Sequence, residues 1–314
     1  MLLKLLKVRL IQSNNSFARR FYKTIISKYM KNYLSLVKFS HTIFAMPFAL
    51  IGFFLATIET EKEVNWLLFL LVILCMVFAR SAAMGFNRWA DRDIDSKNPR
   101  TANREIPAGV ISSNNALYFV IVNCLLFIAT TFFINPLAFF LSPIALLVVL
   151  GYSYTKRFTA LCHFVLGVGL ALAPIGAYIA VANQFALLPV MYSFVVLFWV
   201  SGFDIIYALQ DEDFDRSLGL NSIPAALGKK RALMVSNVLH ALTALLVIYA
   251  GIYWKAEFGL YYIIGSSIFI GLLAYQHFLV KPNDLSKVNL AFFTTNGIAS
   301  AIFGAFVIVD LFLK

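Results

Sequence analysis

Two clusters of polar, mostly acidic residues, each at the end of a long apolar run, have the residue types and spacing to do chemistry. They are Asn87, Asp91 and Asp95 in the first cluster, and Asp204, Asp211 and Asp215 in the second. Residues four apart share one face of a helix, where like charges repel unless a cation lies between them. Mg²⁺ prefers oxygen ligands and is commonly held by one or two carboxylates together with substrate phosphates.

Two facing stripes of this kind predict a site for Mg²⁺ and a diphosphate. The predicted metal ligands are Asn87, Asp91, Asp95, Asp211 and Asp215. The alternative is that these acids are solvated loop residues or partners of the neighbouring arginines, as exposed acids commonly are.

Basic and phenolic residues near the acids supply donors for phosphate oxygens. Arg100 and Arg104 follow the first cluster, and Tyr152 precedes Lys156 by one helical turn. Guanidinium, ammonium and phenol groups all donate hydrogen bonds to phosphate, so these four residues are predicted to bind substrate. Determination of membrane topology is the competing explanation for the basic residues.

Arg80 lies inside an apolar segment, seven residues before Asn87 and therefore on the same helical face, nearly two turns deeper. An arginine at such a depth is costly and normally faces a cavity or a partner. Its planar guanidinium suits a carboxylate bound through two hydrogen bonds, which predicts a carboxylated substrate. Structural pairing with a helix carbonyl or with Asp204 is the alternative.

Composition places the whole chain in a membrane. Of its 314 residues, 61% are hydrophobic and 13% charged, whereas soluble proteins are nearer one quarter charged. The apolar runs are continuous rather than alternating, which favours helices over a barrel. Nine segments are predicted, near 40–58, 65–87, 116–134, 137–153, 161–182, 187–208, 232–253, 258–276 and 289–311.

The distribution of positive charge predicts the orientation of these segments and argues against a nucleic-acid partner for a chain of net charge +11. With nine crossings, the chain start and the loops after every second segment lie on one side. Of the 26 lysine and arginine residues, Arg80 lies within a segment, and the side opposite to the chain start holds only Lys62, Lys255 and Lys314. The positive-inside rule makes the basic side cytoplasmic, and both acidic clusters fall there.

Two regions are therefore expected, a basic N-terminal segment over 1–38 and a membrane domain over 39–314. The first segment carries no acid and has an apolar side, which favours an interfacial helix on anionic lipid. A mitochondrial presequence is the alternative. The three cysteines and four histidines, among them His163, show no metal-ligand spacing, which argues against a zinc or haem site.

These motifs resemble those of the UbiA-type intramembrane aromatic prenyltransferase family. The first cluster is similar to the family's Asn-x-x-x-Asp-x-x-x-Asp motif, and residues 100–109 to its Arg-Thr-x-x-Arg-x-x-Pro-x-Gly continuation. The second resembles Asp-x-x-Tyr-Ala-x-x-Asp-x-x-x-Asp, which includes Tyr207, and Tyr152 with Lys156 resembles Tyr-x-x-x-Lys. Asn296 is similar to a polar residue of the family's last helix. The resemblance covers roughly residues 33–311.

The resemblance implies an all-α bundle of about nine transmembrane helices around a central cavity, with its active site at the cytoplasmic face. It implies Mg²⁺-dependent transfer of a polyprenyl group from polyprenyl diphosphate to an aromatic acceptor in ubiquinone or menaquinone biosynthesis. The 4-hydroxybenzoate polyprenyltransferase branch is the most similar. Asp204 and Tyr207 are the expected residues for acceptor positioning or proton removal, with Lys156 assisting, and Asn296 is an expected substrate contact.

Two alternatives stay open at this point. Arg88 stands where many ubiquinone enzymes have aspartate, and the Asn-Arg form resembles a branch thought to prenylate futalosine-pathway precursors of menaquinone. A cation-coupled transporter would also place acids in membrane segments, although transporters tend to hold them near the midplane. A bacterial inner membrane is the expected location, with the mitochondrial inner membrane as the alternative.

Overall fold

The computed structural model describes residues 31–37, 44–255 and 258–313. Nine long helices make up most of these ranges. They are α1 (Met46–Glu59), α2 (Trp66–Ala90), α3 (Ser113–Phe132), α4 (Pro136–Thr155), α5 (Cys162–Ala182), α6 (Leu187–Ala208), α7 (Lys229–Tyr253), α8 (Leu260–Leu279) and α9 (Asn296–Phe312). Helices α2 to α9, two of them extended by adjoining turns, are long and apolar enough to cross a membrane.

The chain is thus an all-α, multi-pass integral membrane protein, as its composition predicts. Helix α1 has 14 residues, and the residues 38–43 before it lie outside the described ranges. So does most of the predicted interfacial segment, of which the structure describes 31–37, helical over 31–36.

Local sequence explains where several helices begin. The Asn65 side chain accepts a hydrogen bond from the backbone of Leu68 at the start of α2, and Ser112 does the same for Asn115 at α3. Asn135 caps α4 in this way, and Pro136 follows it at the first helical position. Such caps satisfy backbone donors that have no partner within the helix.

Contacts at the two ends of the bundle show which helices end together. At one end, where α1 and α5 finish, the Tyr178 hydroxyl donates to Glu59 at 2.6 Å, and Lys62 donates to the Val181 carbonyl at 3.0 Å. At the other end, where α2 and α4 finish, Lys156 lies 2.8 Å from Asp91. This second end is called the acidic end below, and it corresponds to the predicted cytoplasmic side.

Small residues allow the helices to pack closely. A Cβ atom added to Gly52 of α1 would lie 2.1 Å from the Pro174 carbonyl oxygen of α5, and one added to Gly304 of α9 would lie 2.6 Å from Pro47 of α1. Helices in membranes associate through such close packing, because lipid gives no hydrophobic force between them. The packed core holds fully buried aromatic rings, among them Phe48, Trp199 and Phe303.

An apolar cavity of about 340 Å³ lies to one side of this core, between α2, α3, α4 and α5. Its wall on α5 includes Leu166, Leu170, Ala173 and Ala177, which share one helical face. Polar groups are few along it, and the charged one is Arg80. The cavity is therefore suited to an apolar chain with a polar group at one end.

Candidate active site

The first acidic cluster forms the helical stripe that its spacing predicts. Helix α2 ends at Ala90, but the backbone bonds continue, since Asp91 donates to the Asn87 carbonyl at 2.9 Å and Asp95 to the Asp91 carbonyl at 2.7 Å. The Asn87 side chain donates to the Asp91 carboxylate at 3.2 Å. Asn87 and Asp91 therefore present oxygen ligands on a shared face.

The second cluster is bent where the sequence predicts a continuous stripe. A 3₁₀ turn over Leu209–Asp211 separates Asp204, within α6, from Asp215, within the short helix Glu212–Ser217. The Ser222 hydroxyl donates to Asp215 at 2.9 Å. The turn brings Asp211 towards the loop that follows the first cluster.

That loop joins the two clusters. Arg100 donates through Nε to Asp211 at 2.9 Å, through a second nitrogen to the same carboxylate, and through Nη1 to the Tyr207 hydroxyl at 2.9 Å. The Asn98 side chain also donates to Asp211, at 3.1 Å. Burial lowers the pKa of Arg100, but the hydrogen bonds and charge of Asp211 outweigh it and raise the pKa above its ordinary value. Arg100 is therefore positively charged throughout the physiological pH range.

The two buried acids of the first cluster are also paired with cations. Asp91 and Asp95 are 2% and 3% exposed. Lys156 lies 2.8 Å and Arg157 3.3 Å from Asp91, and Arg104 lies 2.8 Å from Asp95. Removing a carboxylate from water is costly unless an opposite charge compensates it. The end of the bundle thus holds interleaved acids and bases in nearly balanced numbers.

The donor set fits a divalent metal ion in its chemistry. All five predicted ligands present oxygen atoms, which Mg²⁺ prefers, and Mg²⁺ keeps several waters or phosphates in its shell. In the part of the chain that the structure describes, no group of three or more histidine, cysteine or acidic side chains could hold a metal ion by itself. A metal site here would therefore take one or two carboxylates from each cluster and complete its coordination with phosphate.

Arg80 and Tyr152 line the apolar cavity next to this polar region. Arg80, Arg88, Asp91 and Asp204 lie within electrostatic range of the Tyr152 hydroxyl, so the phenol stands between the cavity and the acids. Arg80 Nε is buried and has no hydrogen-bond partner among the described residues. The alternative partner, Asp204, is instead bonded to His163.

Asp204 and His163 form a pair that the sequence did not predict. His163 Nδ1 lies 2.7 Å from Asp204 Oδ2, and its Nε2 accepts a hydrogen bond from the Ile223 backbone at 3.3 Å. The two residues are 41 positions apart on different helices, so no short spacing reveals them. Asn98 also escaped prediction, although its place beside Pro99 and Arg100 indicates a turn next to the acidic motif.

The structure does not bring Asn296 to this site. Its side chain is fully buried among α6, α8 and α9, where its Oδ1 accepts from Trp199 at 2.8 Å and from Gln276 at 2.7 Å. Its Nδ2 donates to the carbonyls of Ala291 and Phe292. The remaining predicted residues, from Arg80 to Asp215, lie at the acidic end or at its border with the cavity.

Residues 45–298 match the model of the UbiA prenyltransferase family. The 4-hydroxybenzoate octaprenyltransferase of Aliivibrio fischeri (strain MJ11) is 32% identical over 76% of this chain and 82% of its own length. The 4-hydroxybenzoate octaprenyltransferase of Saccharophagus degradans is 30% identical over 76% and 79%.

Two solved structures share the fold. The apo structure of a UbiA homolog from Aeropyrum pernix K1 matches with a TM-score of 0.77 and 33% identity, and the match covers 86% of this chain and 98% of that one. A UbiA homolog from Archaeoglobus fulgidus, bound to DMAPP and Mg²⁺, matches with a TM-score of 0.71 and 23% identity over 90% and 100%.

Proposed function

This chain belongs to the UbiA prenyltransferase family and is a membrane prenyltransferase, and from this premise we propose that it transfers a polyprenyl group from polyprenyl diphosphate to a carboxylated aromatic ring. 4-Hydroxybenzoate or a similar ring is the proposed acceptor, as a step of quinone biosynthesis. The observation that carries this proposal is the junction of an apolar cavity with interleaved acids and bases. A prenyl chain fits the apolar cavity, and a metal-bound diphosphate fits the region of interleaved acids and bases.

The proposed diphosphate site lies between the two acidic clusters. Asn87, Asp91, Asp95, Asp211 and Asp215 would hold Mg²⁺, which when bound neutralises charge on the leaving group. Support comes from the donor chemistry and from the Archaeoglobus fulgidus protein of the same fold, which is bound to DMAPP and Mg²⁺.

The cations that pair with these acids have a second task in the proposal. Lys156 is ion-paired with Asp91, and Arg100 and Arg104 donate hydrogen bonds to Asp211 and Asp95. With a diphosphate bound, these donors would turn to its phosphate oxygens, and the carboxylates would be free to hold the metal. Donors that are already in place stabilise the charge that develops on the departing diphosphate.

The proposed reaction proceeds through charge separation. The bond between the allylic carbon and the diphosphate oxygen breaks, and its electron pair leaves with the diphosphate. The ring carbon ortho to the acceptor hydroxyl attacks the allylic cation and forms the new carbon–carbon bond. The proton on that carbon then passes to a base, for which Asp204 is the proposed candidate. The Tyr152 ring at the cavity border is placed to stabilise a cation, and the apolar walls keep water away from it.

Arg80 and Asp204 are the proposed acceptor contacts. The guanidinium of Arg80 lines the cavity and has an unused donor, Nε, which suits the carboxylate of the acceptor. The Asp204 carboxylate suits the hydroxyl of the acceptor.

The transporter alternative is weaker, because the acids of both clusters are gathered at one end of the bundle rather than near its middle.

The test is turnover of a labelled polyprenyl diphosphate with 4-hydroxybenzoate and Mg²⁺ in membranes that contain the protein. Asp91→Ala and Asp211→Ala should each lower kcat by about 10²–10³-fold, the size reported for loss of one preorganised electrostatic contact. Asp93→Ala and Asp213→Ala are matched controls, since these acids stand two residues away and their side chains are 82% and 91% exposed.

The controls should retain nearly full activity. Wild-type activity in Asp91→Ala or Asp211→Ala would remove the metal assignment. Absence of transfer by the wild-type protein to any carboxylated aromatic acceptor would contradict the proposed function itself.

A further inference from the structure

His163 connects three parts of the acidic end. The residue is 3% exposed and lies in the first turn of α5, where its backbone carbonyl accepts from Ser201 of α6 at 3.2 Å. Its ring contacts Asp204 of α6 through Nδ1 and the backbone of Ile223 through Nε2. The preceding residue, Ser222, donates to Asp215, so the same loop also supports the second acidic cluster.

The two ring contacts fix the tautomer of His163. The Ile223 backbone can only donate, so Nε2 must be an unprotonated acceptor, and the ring proton then lies on Nδ1 and points at Asp204 Oδ2. Both nitrogens are occupied in this arrangement. The ring therefore has no free position through which to pass a proton onward, which excludes a relay.

His163 also stands on the helical face that lines the cavity. Leu166 and Leu170 follow it by three and seven residues, and both belong to the cavity wall. Since residues three and seven apart share one face of a helix, His163 continues that wall towards the acidic end. Tyr152, at the cavity border, is within electrostatic range of Asp204.

We infer that His163 is a positioning residue, which holds Asp204 by Oδ2 so that Oδ1 is directed to the hydroxyl of the aromatic acceptor. No described residue donates to Oδ1, and the Asp204 side chain is 22% exposed. A carboxylate that is held at one oxygen keeps one direction for the other, which orients the acceptor ring for attack through its ortho carbon. This inference rests on the proposed function.

Two substitutions of His163 distinguish the contact made by Nδ1 from the contact made by Nε2. In His163→Asn the amide nitrogen takes the place of Nδ1 and can still donate to Asp204, but the acceptor for Ile223 is lost. In His163→Gln the amide oxygen takes the place of Nε2 and can still accept from Ile223, but the donor to Asp204 is lost. Both variants therefore carry the same neutral amide group, but each keeps the contact that the other loses.

Steady-state kinetics in membranes should distinguish them. His163→Asn should keep kcat/KM for the acceptor within about threefold of wild type, whereas His163→Gln should lose about 10–100-fold, the range for a hydrogen bond to a charged group. The KM for polyprenyl diphosphate should stay unchanged in both, because the diphosphate site lies at other residues. Activity in His163→Gln equal to that in His163→Asn, or greater, would overturn the inference.

A further variant covers the case in which both substitutions prevent folding. Ile223→Pro removes the backbone donor to Nε2 at the first position of the helix Ile223–Leu227, where proline is tolerated. Because it also replaces a buried side chain, Ile223→Ala, which keeps the donor, is its control. Transfer within about threefold of Ile223→Ala is expected, and a loss above tenfold relative to that control would show that His163 acts by tethering the loop, which would overturn the inference. If the wild-type protein transfers no prenyl group in the same assay, the proposed function itself is contradicted. A loss confined to the variants concerns only the role of His163.

Discussion

The free-energy cost of burying the Arg80 guanidinium has to be offset by a favourable interaction of that group. A guanidinium within a membrane segment is expensive, and such groups normally pair with an acid or a backbone carbonyl. Here the acid that the sequence offers as a partner, Asp204, is bonded to His163 instead. Arg80 Nε has no partner among the described residues. An arginine held in this way is prepared for a ligand that brings its own negative charge.

The role of Arg80 can be tested with two acceptors. Arg80→Ala should lower kcat/KM for 4-hydroxybenzoate by about 10–100-fold, because a hydrogen bond between charged groups is lost. An otherwise identical ring with a neutral ester in place of the carboxylate should be used poorly by wild type and no worse by the variant. Competition kinetics with both acceptors in one membrane preparation measures the difference, and equal losses for both would indicate a structural role.

The two buried acids at the acidic end differ in how many basic partners they have. Asp91 has two basic partners, Lys156 and Arg157, so the loss of one leaves the carboxylate compensated. Asp95 has Arg104 alone among the described ion pairs. Unpaired buried charges are strongly destabilising.

Arg104→Met should therefore lower the thermal unfolding temperature of the detergent-purified protein more than Arg157→Met does. The physical reason is that only the first substitution leaves a buried carboxylate without its cation, at a cost of about 3–5 kcal/mol for a fully buried pair. Differential scanning fluorimetry on the two variants measures this. Similar unfolding temperatures would mean that another donor reaches Asp95 once Arg104 is absent.

Helix crossings at glycine set how closely the elements pack. Gly52 is the tightest case, since any side chain there would collide with the Pro174 carbonyl of α5. Backbone atoms cannot move aside as the end of a flexible side chain can, so α1 would have to shift away from α5. Overpacking of this kind costs about 1–3 kcal/mol.

Gly52→Ala should consequently lower the unfolding temperature, although alanine is the better helix former. Gly271→Ala is the control, because Gly271 lies within α8 with no atom within 4 Å of the added Cβ, and it should be neutral or stabilising by up to about 1 kcal/mol. Thermal unfolding of both variants, followed by loss of monomeric protein, gives the comparison. A Gly52→Ala protein as stable as the control would show that α1 adjusts freely.

At this scale the sequence predicted the helices well and their junctions poorly. Nine apolar segments correspond to nine helices because hydrophobic length is a strong, local signal. The first acidic stripe followed from its four-residue spacing. The 3₁₀ turn at Leu209–Asp211 did not, since nothing in Leu209, Gln210 or Asp211 breaks a helix. The partnership of His163 with Asp204 depends on how α5 packs on α6, which no spacing encodes.

Across the whole molecule, the helices that form the aromatic core are mostly different from those that line the cavity. Helices α1, α5, α6, α8 and α9 supply most of the aromatic core, while the cavity lies between α2, α3, α4 and α5. Helix α5 belongs to both, and its face with Leu166, Leu170 and Ala173 forms one cavity wall. A rigid core on one side of α5 holds that wall in place.

The orientation of the whole bundle follows from its charges and can be measured. Basic residues are concentrated in the predicted cytoplasmic loops, and the positive-inside rule then places the acidic end in the cytoplasm. After replacement of Cys75, Cys124 and Cys162 by serine, Asp93→Cys should react with a membrane-impermeant maleimide in inverted vesicles and not in intact bacterial cells. Glu63→Cys should react in intact cells, since both positions are exposed. If both cysteine variants reacted from the same side of the membrane, this arrangement would be contradicted. If Asp93→Cys reacted in intact cells and Glu63→Cys did not, the acidic end would face the outside.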